Sequence, residues 1–262
     1  MEQKIINVLC RDYNMSTNGM FKNTDITMEN FVVKPIPYQE TKSWLLYKHY
    51  AHRMPPITYA FGLYHEKILV GVCTYGHPFS SALKKCMGEK WASKLLELNR
   101  LCVNEGLPPN TLSWFVAQTF KMLPKPTPIV SYADTAQGHH GYIYQATNWL
   151  YTGTSTPFLD YKVKGFEHLH SQSVCDLVGR ADKSDKVAGK SRYQLLVDRF
   201  GAENVYKEER SIKHRYFMFL GNKREKREMR SALSYPTKQY PKGDNTKYDA
   251  SFAPITQLTL DF

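Results

Sequence analysis

Little in this sequence points to a crosslinked, membrane-embedded or repetitive protein. Its five cysteines, Cys10, Cys73, Cys86, Cys102 and Cys175, are odd in number and widely spaced, and none forms a CxxC pair. That excludes a disulfide framework or a thiolate zinc site as the organising principle, and a reducing cytoplasm is the expected location. No apolar run approaches the roughly 20 residues needed to cross a bilayer. The stretch from Met1 to Asn30 is polar and has no signal-peptide apolar segment, so neither a membrane span nor a leader is expected. Internal repeats and low-complexity tracts are also missing, which removes solenoids and linker-like chains. What remains is 262 residues with 42% hydrophobic content, enough for one substantial core and a smaller appended subdomain.

The net charge of +11 is unevenly spread. Residues 1–160 hold 15 Lys and Arg against 11 Asp and Glu, whereas residues 161–247 hold 20 against 11, and the last fifteen residues add two unbalanced acids. A basic C-terminal third is the electrostatic footprint of a phosphate-backbone binder, although a solvated basic surface would carry the same count. The residues expected to contact DNA are Lys190, Arg192, Lys213, Arg215, Lys223, Arg224, Lys226 and Arg227.

Periodicity and breakers divide the chain. Residues 1–30 lack periodicity and read as an arm. Phe31 to Ile36 predicts a strand, and Tyr38 to His52 predicts a helix ended by Met54-Pro55-Pro56. Thr58 to Tyr64 and Ile68 to Tyr75 predict a hairpin, and Glu97 to Val103 a short strand. Asn110-Thr111 should cap a helix carrying Leu112, Phe115, Val116, Phe120 and Leu123 on one stripe, stopped by Pro124. Pro128 to Tyr132 predicts a buried strand, Gly141 to Trp149 a helical segment, and Trp149 to Gly153 a return to β. Between Asp160 and Lys213 one helix stands out, Ser191 to Phe200, closed by Gly201. His214 to Leu220 is a final strand and Asn222 to Leu233 a charged helix. The β-α-β-β-β-α-β-α-β order requires an α/β fold with a mixed sheet and helices on its faces.

Three segments concentrate polar side chains beside strand ends, where α/β folds place their sites. Asp134 follows a buried strand and could accept a proton, orient a neighbour, or simply cap a loop. Gly138 and Gly141 would let the backbone turn into a helix whose N–H groups bind an anion. Arg100 lies within an otherwise apolar strand and needs a partner, for which Asp134 on an adjacent strand is a candidate, giving a buried ion pair that is either structural or a substrate clamp. His49 and Arg53 would share a helical face at the end of the first helix, where a histidine suits the C-terminal dipole. The 18 tyrosines suit stacking on an extruded base as well as ordinary packing.

The order of elements resembles the GNAT acyltransferase fold, whose splayed central strands would open between residues 100 and 134. Within it, Leu98-Asn99-Arg100-Leu101, Pro109-Asn110-Thr111-Leu112-Ser113-Trp114-Phe115, Tyr132-Ala133-Asp134-Thr135-Ala136-Gln137-Gly138-His139, Ile143-Tyr144-Gln145-Ala146-Thr147-Asn148-Trp149 and Tyr151-Thr152-Gly153 resemble the Mom family of phage DNA-modification proteins. Lys213-His214-Arg215-Tyr216, Tyr235-Pro236 and Tyr240-Pro241-Lys242 resemble its C-terminal block. The resemblance implies transfer of a carbamoylmethyl (acetamido) group to adenine N6 in phage DNA, as protection from host restriction. Carried over by position, it implies functional roles for His49, Arg100, Ser113, Asp134 and Tyr144. Ser113, Gly138 and Gly141 would face the donor.

One departure bears on the cofactor. Acetyl-CoA enzymes of the GNAT fold usually carry a (Gln/Arg)-x-x-Gly-x-(Gly/Ala) loop whose amides hold the pyrophosphate, whereas here Asn104 to Thr111 contains Pro108, Pro109 and only Gly106. That argues against ordinary acetyl-CoA use. Iron is a further cofactor expectation, since His49, Asp134 and Tyr144 offer suitable ligands, though without a fixed ligand spacing.

The expected organisation is an arm over 1–30, a GNAT-like core over 31–160, a basic DNA-contacting insertion over 161–213, a final strand and charged helix over 214–247, and a tail over 248–262. The expected partners are double-stranded DNA and a small activated donor, with no membrane and a homodimer left open. Two rivals remain: a GNAT N-acetyltransferase acting on a small amine or modified thymine, and a non-catalytic basic DNA-binding protein.

Overall fold

A computed structural model describes residues 28–169, 171–178, 189–243 and 257–258. Most of the arm expected over 1–30 and of the tail over 248–262, and part of the expected insertion, lie outside the described residues.

The fold is mixed α/β. Strand β1 (Phe31–Pro35) turns Phe31 inward and Val32 to solvent. The helix expected from Tyr38 to His52 is present but irregular and ends at Lys48: a 3-10 turn at Tyr38–Thr41 passes through residues 42–43 into a π-helical turn at Trp44–Lys48. Trp44, Leu45 and Lys48 are all buried, and the wider turn broadens the inward face: the His49 N–H reaches back five residues to Trp44 O at 2.8 Å. His49 itself is extended, so it shares no helical face with Arg53. The end-of-turn role goes to His52, whose Nδ1 lies 2.9 Å from Leu46 O.

Strands β2 (Tyr59–His65) and β3 (Ile68–Gly76) form the expected hairpin, with Glu66 in the left-handed region at the turn. Two one-turn helices, α1 (Ser81–Lys85) and α2 (Gly88–Ala92), follow; neither is long enough to show a period in sequence. Strand β4 (Leu96–Val103) pairs antiparallel with β3. Helix α3 (Thr111–Met122) begins after Asn110, which adopts φ 66° and makes no side-chain cap. The expected Asn110 cap is therefore absent; Thr111 Oγ1 bonds Pro108 O instead, at 2.7 Å. Strand β5 (Thr127–Asp134), helix α4 (Tyr142–Ala146) and strand β6 (Leu150–Thr154) complete the first half.

The remaining elements are β7 (Leu159–Val163), α5 (Ser171–Leu177), α6 (Arg192–Phe200), β8 (Val205–Glu209), β9 (Lys213–Leu220), α7 (Lys223–Ala232) and β10 (Gln257–Leu258). Helices α6 and α7 start as their sequences dictate. Ser191 with Gln194, and Asn222 with Glu225, form reciprocal capping boxes.

The main sheet runs β1-β2-β3-β4-β5-β9-β6, with β10 beside β3, and β7 pairs with β8 separately. Strands β4 and β5 are parallel and register only through Leu96↔Ile129 and Glu97↔Val130 before they part. Alternation along β9 sends Tyr216 and Leu220 to one face, with Phe115 and Val116 of α3, and Phe217 and Phe219 to the other, with Trp91 of α2 and Met229 of α7. Each such aromatic contributes about 1.5–3 kcal/mol of hydrophobic stabilisation.

Two compact units emerge. The first comprises residues 1–133, 137–153 and 214–262; the second comprises 134–136 and 154–213. The second has its own core of Val163, Val174, Leu196 and Val205. Strands β7 and β8 escape sequence reading because charged and polar residues dominate both of them: the β8 burial pattern leaves only Val205 inside. The basic surplus is also redistributed. Residues 154–213 hold eleven Lys and Arg against nine Asp and Glu, whereas residues 214–247 hold nine against three. The expected basic insertion is thus nearly balanced, and the excess belongs to the segment bearing β9 and α7.

Candidate active site

Where β4 and β5 part, the first unit contains a cavity of about 650 Å³. Its walls come from four places: Leu98 to Leu101 on β4, Asn104 to Pro108 and Asn110 to Ser113 leading into α3, Tyr132 and Ala133 on β5, and His139 with Gly141 to Tyr144 at α4. His49 and Tyr50, from the end of the π-helical turn, join them. Four of the five residues expected to carry chemistry, His49, Arg100, Ser113 and Tyr144, therefore line one space.

His49 is buried, and its ring stacks on Tyr50 with centroids 4.4 Å apart. The Ala51 N–H donates to His49 Nδ1 at 3.1 Å, which in the neutral ring leaves the proton on Nε2. The turn is tied to the loop before α3 by a buried ammonium: Lys48 Nζ lies 2.8 and 2.7 Å from the two carboxylate oxygens of Glu105. Arg100 donates to two main-chain carbonyls, Asn99 O at 2.6 Å and Arg53 O at 3.4 Å. Asn99 is committed to structure, accepting from Thr74 Oγ1 at 2.6 Å and donating to Pro56 O at 2.8 Å. Ser113 Oγ donates back to Asn110 O at 3.0 Å.

Tyr144 shares a hydrogen bond with Ser131 Oγ at 2.7 Å, and Ser131 also bonds Leu98 O at 2.8 Å, which bridges the parted strands. Burial pushes the Tyr144 phenol well above its ordinary range, against the opposing Ser131 bond. Tyr144 is therefore a neutral hydrogen-bonding group and not a phenolate base.

Asp134 is placed differently. It belongs to the second unit and is not among the residues lining the cavity. The expected Arg100–Asp134 pair is replaced by an ion pair to Lys213 Nζ at 3.1 Å, with the Ala136 N–H donating to Asp134 Oδ1 at 3.1 Å. Burial alone would raise its pKa, but the bond from Ser211, the Lys213 ammonium and the Ala136 N–H outweigh it and hold the carboxyl below its ordinary value. A carboxylate so stabilised is a weak proton acceptor.

Gly141 lines the cavity in a left-handed conformation, φ 77°, pressed against the Tyr216 ring; Gly138 does not line it. The anion-binding helix start expected there is not supported, because α4 has five residues and too short a dipole to matter. Gln145, passed over in the sequence, braces this wall. Its Nε2 lies 3.1 Å from His140 O, 3.2 Å from Tyr216 Oη and 3.4 Å from Pro241 O. Tyr240 Oη bonds Trp149 O at 2.6 Å, so the segment after α7 straps the same wall. An amide followed by aromatics at distant positions leaves no local sequence signal for such a brace.

Of the expected DNA contacts, Arg215 is corrected by burial: its guanidinium bonds Thr152 Oγ1 at 3.0 Å and sits over the Tyr235 ring. Lys213 is held by Asp134 and Lys190 by Asp198 at 3.0 Å. Arg192, Lys223, Arg224, Lys226 and Arg227 are exposed. Among the described residues, no group of three or more His, Cys, Asp or Glu side chains is arranged to hold a metal ion. No described helix is long and apolar enough to cross a membrane.

The topology and the cleft at the parted strands define a mixed α/β protein with its candidate site at the opening of the central sheet. The chain belongs to the Mom protein family, whose sequence model matches residues 30–242. It is 24% identical over 201 residues to the methylcarbamoylase Mom of Escherichia phage Mu, across 74% of this chain and 77% of that one. An N-acetyltransferase from Staphylococcus aureus Mu50 superimposes on 73% of this chain and 99% of its own, with TM-score 0.39 and 9% identity. An agmatine N-acetyltransferase in its apo form covers 73% and 100%, with TM-score 0.35 and 14% identity.

Proposed function

We propose that this protein is a phage DNA-modifying transferase that places a carbamoylmethyl (acetamido) group on adenine N6 in duplex DNA and so protects that DNA from host restriction. The observation that carries this reading is the cavity: it lies inside the segment matched by the Mom family and gathers His49, Arg100, Ser113 and Tyr144 around about 650 Å³. That volume falls in the range of small-molecule sites, and reaching it requires adenine to leave the base stack.

The roles follow from the geometry. The adenine amino group is a poor nucleophile because its lone pair is delocalised into the ring. N6 would form a bond to the CH2 carbon of the transferred group as the bond from that carbon to the donor's leaving group breaks, and Arg100 would stabilise the negative charge that the departing group takes with the bonding pair. Tyr144 and the Nε2–H of His49 would hydrogen-bond the base or the donor, which fixes the angle of attack. After attack, the positively charged N6 is acidic enough to release its proton to water, so the reaction needs no strong base. Asp134 then organises the second unit. Exposed Lys223, Arg224, Lys226 and Arg227 are the proposed phosphate contacts of the first unit, with Arg192 contributing from the second.

Pro108 and Pro109 withhold two N–H groups from the loop beside α3, so no step is routed through coenzyme A. None is routed through iron. Mass spectrometry of nucleosides from DNA of cells expressing the chain tests the reading. A carbamoylmethyl-adenine peak that disappears with Arg100→Met is expected, and unmodified adenine at wild-type expression would overturn it.

A further inference from the structure

Among the described residues, exposed large apolar side chains such as Tyr47, Phe79 and Phe158 do not line the cavity, and Tyr142 alone is both strongly exposed, at 66%, and part of the cavity wall. The turn beneath it fixes its place. Gly141 takes the left-handed turn that starts α4 and packs against Tyr216, where a side chain would collide with that ring. Two residues further on, Tyr144 is drawn into the core, which leaves Tyr142 on the outward side of the same turn. The preceding loop is held at the His140 carbonyl by Tyr216 Oη at 2.5 Å and by Gln145 Nε2 at 3.1 Å. The same cavity is lined by Tyr50 and His139, whose rings meet edge to face at 6.4 Å.

A flat, rigidly mounted aromatic face left in water at the wall of a cavity is suited to a flat partner. A purine removed from a duplex loses the stacking of two neighbours and needs a replacement surface, and an aromatic side chain supplies one without regard to base identity. We propose that Tyr142 is the stacking platform for the extruded adenine. This rests on the DNA-modification reading and adds to it the residue that holds the base once it has left the helix. The ring carries the role and the hydroxyl does not.

The test compares Tyr142→Ala, Tyr142→Phe and Tyr142→Trp in the full chain. Expected are a loss of about tenfold or more in modified adenine for Tyr142→Ala, near wild-type levels for the two aromatic variants, and unchanged melting temperatures, because the side chain is largely exposed. Modification by Tyr142→Ala within twofold of wild type, or an equal loss in Tyr142→Phe, overturns the platform while leaving the proposed function intact. A second measurement separates the two failures: the affinity of purified wild type and Tyr142→Ala for single-stranded oligodeoxyadenylate, whose bases need no extrusion. A fall of about tenfold for the variant supports stacking even if no modified nucleoside is found in cells. Equal affinities overturn it.

Discussion

Arg100 and Asp134 both lie on central strands, Arg100 within β4 and Asp134 at the end of β5, yet the two positions have different surroundings. Arg100 sits where β4 leaves β5 and lines the cavity. Asp134, at the end of β5, belongs to the second unit and is held by Lys213. A charged residue on a central strand becomes part of a site where the neighbouring strand moves away and leaves room, as at Arg100. Where an opposite charge is packed against it, as Lys213 is against Asp134, it becomes an internal brace of its own unit.

The sharpest way to break this comparison is Arg100→Met, which should lower modification at least a hundredfold without abolishing DNA binding, measured as modified adenine and by filter binding. Arg100→Lys should recover little, since an ammonium cannot reproduce the planar fork. Activity near wild type in Arg100→Met would remove the cavity from the chemistry.

The basic segment supplies the next contrast. Replacing Lys223, Arg224, Lys226 and Arg227 by Ala should weaken duplex binding across all sequences and flatten its salt dependence by about 0.9 in log–log slope for each phosphate that is no longer neutralised. Arg215→Ala should instead destabilise the fold with an unchanged slope, because its guanidinium is buried against Thr152 and Tyr235. An identical salt slope in the fourfold variant would make α7 a solvated surface.

On the other side of the comparison, Asp134→Asn should cost about 1–3 kcal/mol of stability, with modification reduced less than tenfold. Lys213→Met should behave alike, and the double variant should be no worse than the more damaging single change. The pH dependence has a definite sign. The folded pKa of Asp134 is depressed, so its contribution is fully present above the ordinary carboxylate value of about 4 and is lost as pH falls through the lower folded value. Acid unfolding of Asp134→Asn should therefore lack that portion of the curve. Complete loss of modification with stability intact would return Asp134 to the chemistry.

The smallest effect expected concerns the donor. A ligand at a hundred times its dissociation constant adds roughly 2.7 kcal/mol to the folded state, so a conventional coenzyme A enzyme would melt visibly higher in its presence. Little or no shift is expected here with millimolar coenzyme A. A saturable single-site rise would restore the N-acetyltransferase alternative.

Much of the fold was legible because its signals are local. The β-rich run Ile68–Gly76, the stripe of α3, and Ser191 and Asn222 ahead of α6 and α7 each encode an element within a few residues. The cavity was half legible: His49, Arg100 and Tyr144 stand out in segments dense in polar side chains, whereas Ser113 is indicated only by the family resemblance, which covers all four positions. Tyr142, Gln145 and the Lys48–Glu105 pair did not stand out, since a tyrosine, an amide or a lysine–glutamate pair 57 residues apart has no distinctive spacing.

The sequence by itself therefore determined which segments become strands and helices, how two helices are capped, and which family the chain resembles. The tertiary structure decided which charges meet. Strand β9 comes late in the chain but lies between β5 and β6 in the sheet, so Lys213 pairs with Asp134 and Arg215 is buried against Thr152 and Tyr235. Local periodicity specifies the face a side chain takes, but only the order of strands brings its neighbours, and that order depends on burying all the apolar faces at once.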